Sequence, residues 1–443
     1  MRSPSFLTSL LVPALLAAAQ SRTTEQGEAQ ISSAYLRFCH FPAHPLPDPS
    51  VECSLYYYAP VGQAVSAGKF PPVWTPATII PNDTIALAKY QSIQSQIPNI
   101  SPNGQQPGSL QGNWSNFTYP PTDPNCWWTY HQCTTPKLAG LPPDLAAVPE
   151  PGTLGYGFDD GPNCSHNAFY DFLQQNNQKA SMFFIGSNVL DWPLEAQRAL
   201  ADGHEIGVRK CRLLFSSCPL TSFQTLGLTM QAIKLVTGIT PTSWRPPFGD
   251  VDDRVRSIAH ALGLRTIIWQ YDSNDWRANT GNITAADVDA NYQALIQRAQ
   301  NGTFSNVCTT SFPPVIPFPT FALQAGTIML THELNNFTMS EGVKFYNQLK
   351  AAFEHLVPMG VAVNISQPYV ETNYSLPNFA QYIAGTTTLS ASAASPTGSS
   401  GHSSGSSGSS GSQGTSGAVP SFSALGGLAV SAAFVGSILR LLM

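Results

Sequence analysis

The stretch LGYGFDDGP, residues 154–162, decides how this sequence is interpreted. Its first half, residues 154–158, is a short apolar run that predicts a β-strand, and Gly161 and Pro162 are typical of a turn. Two adjacent carboxylates at the end of a strand can divide the chemical work, because one can bind a metal ion while the other acts as a base. Such a segment is also a good turn by itself, so a structural interpretation stays open.

Outward from this stretch, the residues after about 150 alternate between strand-like and helix-like patterns. This βαβα rhythm predicts an α/β fold with a parallel sheet, either open or closed into a barrel. In a barrel, functional side chains collect at the carboxyl ends of the strands. The predicted strands are 154–158, 180–185, 205–208, 264–269, 326–330 and 361–365, and the predicted helices are 167–175, 194–201, 230–236, 251–262, 285–299 and 341–356.

Further polar side chains lie near predicted strand ends. His332 follows the strand 326–330, and its imidazole titrates in a range that suits a general acid, although a hydrogen-bonded structural histidine is the alternative. Arg245 begins the rigid segment RPPFGD, and Asp275 and Trp276 end the segment YDSNDW. The arginine and this aspartate could pair with catalytic groups and tune their pKa values, whereas surface ion pairing is the plainer interpretation.

The order and content of these segments resemble the polysaccharide deacetylase family, the NodB-homology domain of carbohydrate esterase family 4, over about residues 148–370. Within that family, the chain ends and the CWW segment at 126–128 are similar to basidiomycete chitin deacetylases. The resemblance implies a distorted (β/α) barrel, a divalent metal (zinc or cobalt), and chitin, the N-acetylglucosamine polymer, as substrate, with chitosan and acetate as products. These motifs do not distinguish an amide from an ester, so an acetylxylan-type esterase stays open.

The resemblance also implies a role for each motif residue. Asp159 would be the general base that activates a metal-bound water, and Asp160 would be a metal ligand. His332 would be the general acid that protonates the departing amine. The metal would polarise the acetamide carbonyl as a Lewis acid. The remaining residues that the resemblance implies would hold the base (Arg245), lie behind the acid (Asp275) or line the sugar pocket (Trp276 and Leu330).

One motif of the family is missing. The family carries His-(Ser/Thr)-x-x-His after a strand of the type GHEIGV; that strand is present, but Arg209 and Leu213 stand where the two histidines are expected. Because a catalytic zinc normally has three protein ligands, Asp160 alone would not hold the metal, and Arg209 would repel it. Two explanations stay open: a non-catalytic protein that keeps a chitin-binding groove, or translated intron sequence at 209–224 in place of a short exon.

The two ends of the chain predict a secreted protein that is anchored by lipid to the outer face of the cell membrane and the wall. Arg2 and the apolar run 6–19 are typical of a signal peptide. Near the other end, Ser/Gly/Thr-rich sequence precedes an apolar tail, which is typical of a glycosylphosphatidylinositol (GPI) anchor signal, although a membrane span is the alternative. Ten Asn-x-Ser/Thr sequons suit the secretory route.

Composition narrows the partners and the compartment. The net charge of −5 and the scattered Lys and Arg side chains exclude a nucleic-acid footprint, and we expect a monomer. Eight Cys without a Cys-x-x-Cys pair favour disulfides, whose connectivity the sequence leaves open.

The N-terminal segment, from residue 20 to the barrel, is rich in Pro, Gly and aromatic residues and is predicted to be loop-rich. Its Trp114, Trp127 and Trp128 could form a carbohydrate platform or fill a small core. We therefore expect five regions: a signal peptide at 1–19, the loop-rich N-terminal segment at 20–147, a polysaccharide deacetylase domain at 148–375, a Ser/Gly/Thr-rich linker at 376–417 and a GPI-anchor propeptide at 418–443.

Overall fold

The computed structural model describes residues 23–36, 52–75, 80, 83–102, 118–209, 219–280, 283–301 and 325–388. Strands and helices alternate along most of the chain beyond residue 150, as the sequence predicts. The strands in this part of the chain are β1 (Thr153–Gly155), β2 (Gly157–Gly161), β3 (Ser181–Ile185), β4 (Glu205–Arg209), β5 (Ser243–Arg245), β6 (Arg265–Thr266), β7 (Tyr271–Asp272), β8 (Thr327–Leu330) and β9 (His355–Val357).

Two sheets with the strand orders β7-β8-β1-β9 and β2-β3-β4-β5-β6 form the architecture, and every described pairing between these strands is parallel. The sheets join where Asp159 of β2 pairs in parallel with His332, just after β8. They join again across the chain from β6 to β7, because Ile267 bonds to β5 and Gln270 bonds to β8. The predicted distorted barrel is thereby confirmed.

Helices cover the outside of this barrel, so most residues of the inner strands are buried on both faces of the sheet. All five residues of β3 are buried, for example. The helices beyond residue 150 are Asn167–Gln175, Gly186–Asp191, Pro193–Ala201, Pro219–Thr237, Asp253–Ala261, Ala285–Gln300, Asn336–Ala352, Met359–Ala362 and Phe379–Ile383.

Two predictions in the C-terminal part of the barrel sequence are wrong. The predicted strand 361–365 is not a strand, since Met359–Ala362 is a helical turn. The predicted helix 341–356 begins earlier, because Asn335 and Thr338 form a capping box. Its predicted end is also wrong, since the helix stops at Ala352 and Leu356 lies in β9. A three-residue strand is too short to show a period of its own.

The N-terminal segment contains more regular structure than predicted. Its described residues include the α-helices Glu25–Leu36, Ala59–Ser66, Thr84–Ile93 and the short Trp128–His131, and the 3-10 helix Gln94–Gln96. Trp127 and Trp128 are buried, with exposed fractions of 3% and 2%, as the core interpretation requires. Trp114 lies outside the described residues.

Disulfides stabilise this segment. Cys53–Cys164 joins it to the loop after β2, and Cys126–Cys133 closes a short loop. The other four cysteines lie outside the described residues. So do the predicted signal peptide, the predicted anchor tail and residues 389–417 of the predicted linker. Residues 376–388 of that linker are described and contain the helix Phe379–Ile383, with Leu376, Phe379 and Tyr382 buried. Within the described ranges, the structure has no helix that is both long and apolar enough to cross a membrane.

Candidate active site

Five of the polar side chains singled out above meet at the carboxyl ends of neighbouring strands. Asp159 and Asp160 lie near the end of β2, Arg209 ends β4 and Arg245 ends β5. His332 lies two residues beyond β8, directly opposite Asp159. Because parallel strands present their carboxyl ends at one edge of a barrel, residues far apart in the sequence form one site there.

Asp159 is fully buried and contacts two guanidinium groups. Arg245 Nη1 donates to Asp159 Oδ1 at 2.8 Å, and Arg209 Nη1 lies 2.7 Å from Asp159 Oδ2. The latter is an ion pair without the alignment of a hydrogen bond. Arg245 is itself fully buried and lies over the ring of Phe183 at 4.4 Å. A buried charge is costly unless it is paired, and each of the two arginines pairs with one carboxylate oxygen of Asp159.

Arg209 also binds the second aspartate. Its Nε donates to Asp160 Oδ1 at 2.9 Å and its Nη1 donates to the carbonyl of Pro246 at 3.0 Å. Burial lowers the pKa of Arg209, but Asp159 and Asp160 outweigh that effect and raise it. Asp160 has a positive φ of 69°, and Asn188 donates to its carbonyl at 2.7 Å. The family resemblance implies that Asp160 binds a metal ion. In this structure the positive charge beside Asp160 is the guanidinium of Arg209.

The donors described here do not fit a catalytic zinc or cobalt ion. Among the residues that the structure describes, the one group of three His, Cys, Asp or Glu side chains within reach of a common ion is Asp123, Cys126 and Cys133, and its cysteines form a disulfide. At the candidate site, the carboxylate of Asp160 faces a guanidinium and gathers no second and third ligand of that kind in the described part of the chain. Leu213 lies outside the described residues.

The acid side of the site is a buried ion pair. His332 Nδ1 lies 2.6 Å from Asp275 Oδ1, and the backbone N–H of His332 donates to Asp275 Oδ2 at 2.9 Å. Burial lowers the pKa of His332, but Asp275 outweighs this, and the pKa rises to about 9. The imidazole is therefore protonated at neutral pH.

Trp276 and Leu330, the predicted sugar-pocket residues, differ in their exposure to solvent. Trp276 is half-buried, with its ring centroid 6.4 Å from that of His332, and Phe248 packs edge-on against it at 5.5 Å. Leu330 is buried at the end of β8.

Two acidic residues near the site were missed by the sequence reasoning. Burial raises the pKa of Asp272 to about 6, although the nearby charge of His332 opposes that rise. Glu333 is fully buried and binds the backbone N–H of Asn163, His166 Nδ1 and Tyr170 Oη, each at 2.9 Å. The sequence offered one signal for them: Asp272 lies in the same segment as Asp275, and Glu333 directly follows His332.

His204, on the strand before Arg209, has a structural environment. Burial lowers its pKa well below 6.5, with Lys179, Arg198 and His166 adding to the effect, and its Nδ1 accepts from the backbone of Ala180 at 3.2 Å. This agrees with a histidine that binds no metal.

A parallel barrel that holds an aspartate pair and a His–Asp pair at its strand ends defines a hydrolase-type scaffold. Residues 147–267 match the family described as polysaccharide deacetylase. The chain belongs to this family. It is 46% identical over 348 residues to "Chitin deacetylase 2" of Cryptococcus neoformans var. grubii, an alignment that covers 78% of this chain and 72% of the relative.

Two further comparisons show the range of similarity. "Chitin deacetylase" of Amylomyces rouxii is 40% identical over 337 residues, which cover 73% of each chain. The solved structure of the chitin deacetylase from Colletotrichum lindemuthianum aligns at 18% identity with a TM-score of 0.42, covering 52% of this chain and 96% of that one.

Proposed function

We propose that this protein acts on chitin, and that hydrolysis of N-acetyl groups to give chitosan and acetate is the reaction for which the site is laid out. Relatives at 46% and 40% identity that carry the name chitin deacetylase support the substrate. The observation that supports the reaction is the pairing of Asp159 with His332 across the barrel closure. Because of that backbone pairing, the carboxylate of Asp159, our proposed base, and the imidazole of His332, our proposed acid, belong to adjacent strand ends.

The chain's own residues divide the proton transfers. Asp159 accepts a proton from the attacking water, and Arg245, bonded to its Oδ1, fixes its orientation. His332 donates a proton to the departing amine, and Asp275 stabilises the imidazolium before the transfer. Trp276 borders the same space and provides an apolar wall for a sugar ring.

A second candidate function is chitin binding without hydrolysis, and Arg209 favours it. The guanidinium pairs with both aspartates, so an arginine side chain rather than a metal ion occupies the space beside the two carboxylates. The family resemblance implies a zinc or cobalt ion, but the described side chains around Asp160 do not supply the ligands for one. Under this second function, the unaltered chain releases no acetate but still binds chitin.

The experiment measures acetate release from N-acetylglucosamine hexamer, with and without added zinc or cobalt. It compares the chain as it stands with the double variant Arg209→His/Leu213→His, and oligomer binding is measured in parallel. Acetate from the unaltered chain supports the first function and contradicts the second. Binding by both proteins with acetate from the double variant alone supports the second. A chain that neither binds nor hydrolyses the oligomer overturns both, and turnover of acetylated xylan instead would identify the ester substrate.

The cause of the Arg209 replacement has a separate test. Sequencing the transcript across codons 205–230 shows whether residues 209–224 are encoded by an exon. An uninterrupted transcript encoding Arg209 overturns the intron hypothesis.

We propose that the protein is exported and held at the cell surface by a GPI anchor. The apolar run at 6–19, the Ser/Gly/Thr/Ala-rich segment 386–417 and the apolar tail 424–443 support this proposal. Release of the protein from intact cells by a phosphatidylinositol-specific phospholipase is the expected result. A protein that resists release in membranes where a known GPI-anchored protein is released would contradict the anchor.

A further inference from the structure

Trp74, in the N-terminal segment, presents an indole surface that the mechanism above does not use. The residue is 52% exposed, so part of the indole surface is accessible to a ligand. Its Nε1 donates to Asp191 Oδ2 at 2.8 Å, so the ring is tied in one orientation. The backbone of Trp74 has a φ of 66°, a conformation that is rare for a bulky residue and persists where its surroundings impose it.

The hydrogen bond to Asp191 places this indole near the edge of the candidate active site. Asp191 ends the helix Gly186–Asp191, which follows β3 directly at the carboxyl edge of the barrel. Asn188, on the same helix, donates to the carbonyl of Asp160 at 2.7 Å. Residues three apart in a helix lie on one face with Cβ atoms about 5–6 Å apart. Trp74 is thus anchored about one helical turn from the contact with Asp160.

We propose that Trp74 is a distal binding site for the chitin chain and stacks on an N-acetylglucosamine unit that lies beyond the unit held between Asp159 and His332. The inference rests on chitin being the substrate. A sugar ring has one face of C–H groups that suits an aromatic surface, and an indole that is already held rigid loses little conformational entropy on binding. Its distance from the reacting unit makes it sensitive to the length of the oligomer.

Trp74 belongs to the N-terminal segment and not to the barrel. It precedes residues 147–267, which match the family model, so the N-terminal segment rather than the barrel contributes this surface. Tyr56 of the same segment packs against Trp192 with ring centroids 6.2 Å apart and donates to Glu195. These contacts fix the segment against the two helices that follow β3. The segment that carries Trp74 is therefore held beside the helix whose Asn188 contacts Asp160.

The test measures binding of N-acetylglucosamine dimer and hexamer to the full chain by calorimetry. Trp74→Ala should weaken hexamer binding about tenfold, the loss expected for one aromatic contact, and leave dimer binding unchanged. Trp74→Phe keeps an aromatic face without Nε1–H and should fall between. Ile85→Ala, which removes an 81% exposed side chain from the same segment, is the matched control and should change neither affinity.

The outcomes separate this proposal from the proposed function. Hexamer binding that is equal in the unaltered chain and in Trp74→Ala overturns the distal site and leaves the substrate standing. A chain that binds no oligomer overturns both. Equal losses for dimer and hexamer, together with a lowered melting temperature in Trp74→Ala, would assign Trp74 a structural role and overturn the proposal.

Discussion

The aspartate side of the site carries two guanidinium groups for two carboxylates, whereas the histidine side carries one imidazole for one carboxylate. Arg209 and Arg245 hold Asp159 and Asp160 in permanent ion pairs. His332 and Asp275 form a pair that changes charge with pH. Arg209, at the end of β4, thus holds the two aspartates in ion pairs. It makes no such contact with the pair of His332 and Asp275, whose imidazole can still gain or lose a proton.

The largest expected effect comes from removing the buried cation on the aspartate side. Arg245→Leu leaves Asp159 with the ion pair to Arg209 but without the hydrogen bond to its Oδ1, and the loss of a buried ion-pair partner costs about 3–5 kcal/mol. The free energy of unfolding in urea measures this. Lys344→Leu is the control, because the side chain of Lys344 is 46% exposed and its ion pairs with Asp289 and Glu341 contribute less than about 1 kcal/mol each. Equal losses in the two variants would contradict the comparison.

Asp275→Asn tests the histidine side through pH. The pKa of His332 is raised from 6.5 to about 9 in the folded protein, so the pair stabilises fully below pH 6.5 and this contribution is lost as pH rises through about 9. The variant should unfold more easily by about 3 kcal/mol at low pH and match the unaltered chain above pH 9. NMR titration should show the His332 pKa falling. A pKa that stays near 9 would contradict the role of Asp275.

Glu333→Gln tests the contact between the two sides. Glu333 follows His332 and binds the loop after Asp160 through the backbone of Asn163. The amide keeps the shape of the side chain but weakens the charge-assisted bonds to His166 and Tyr170, so we expect a loss of about 1–3 kcal/mol. Thermal unfolding measures it. An unchanged melting temperature would show that the carboxylate charge contributes nothing there.

The smallest expected effect comes from Arg209→Lys. The ammonium group keeps the charge but cannot reproduce the contacts with Asp159, Asp160 and the carbonyl of Pro246 together. We expect a loss of about 1 kcal/mol in the free energy of unfolding. A loss as large as that of Arg245→Leu would show that the fork geometry, rather than the charge, holds the aspartate side.

Much of the barrel was predictable because its signals are local. The helix Asn167–Gln175 was predicted with the observed bounds, since its apolar side chains repeat at helical spacing. β9 was missed because three residues carry no period, and the N-terminal helices were missed because Pro and Gly obscured them. Asp159, Asp160 and His332 were identified by their positions at strand ends. Asp272 and Glu333 were not identified. Burial raises the pKa of Asp272, and the hydrogen-bond partners of Glu333 are distant in the sequence, so neither feature is visible in the sequence.

The sequence by itself determined the α/β class, the order of the motifs, the family resemblance and the absence of two expected histidines. These depend on residue types at short spacings. The tertiary structure decided that the guanidinium of Arg209 reaches both aspartates, that Cys53 pairs with Cys164, and that Trp74 is tied to Asp191. Each of these contacts joins residues that are distant in the chain, and only the closure of the barrel and the packing of its helices bring them together.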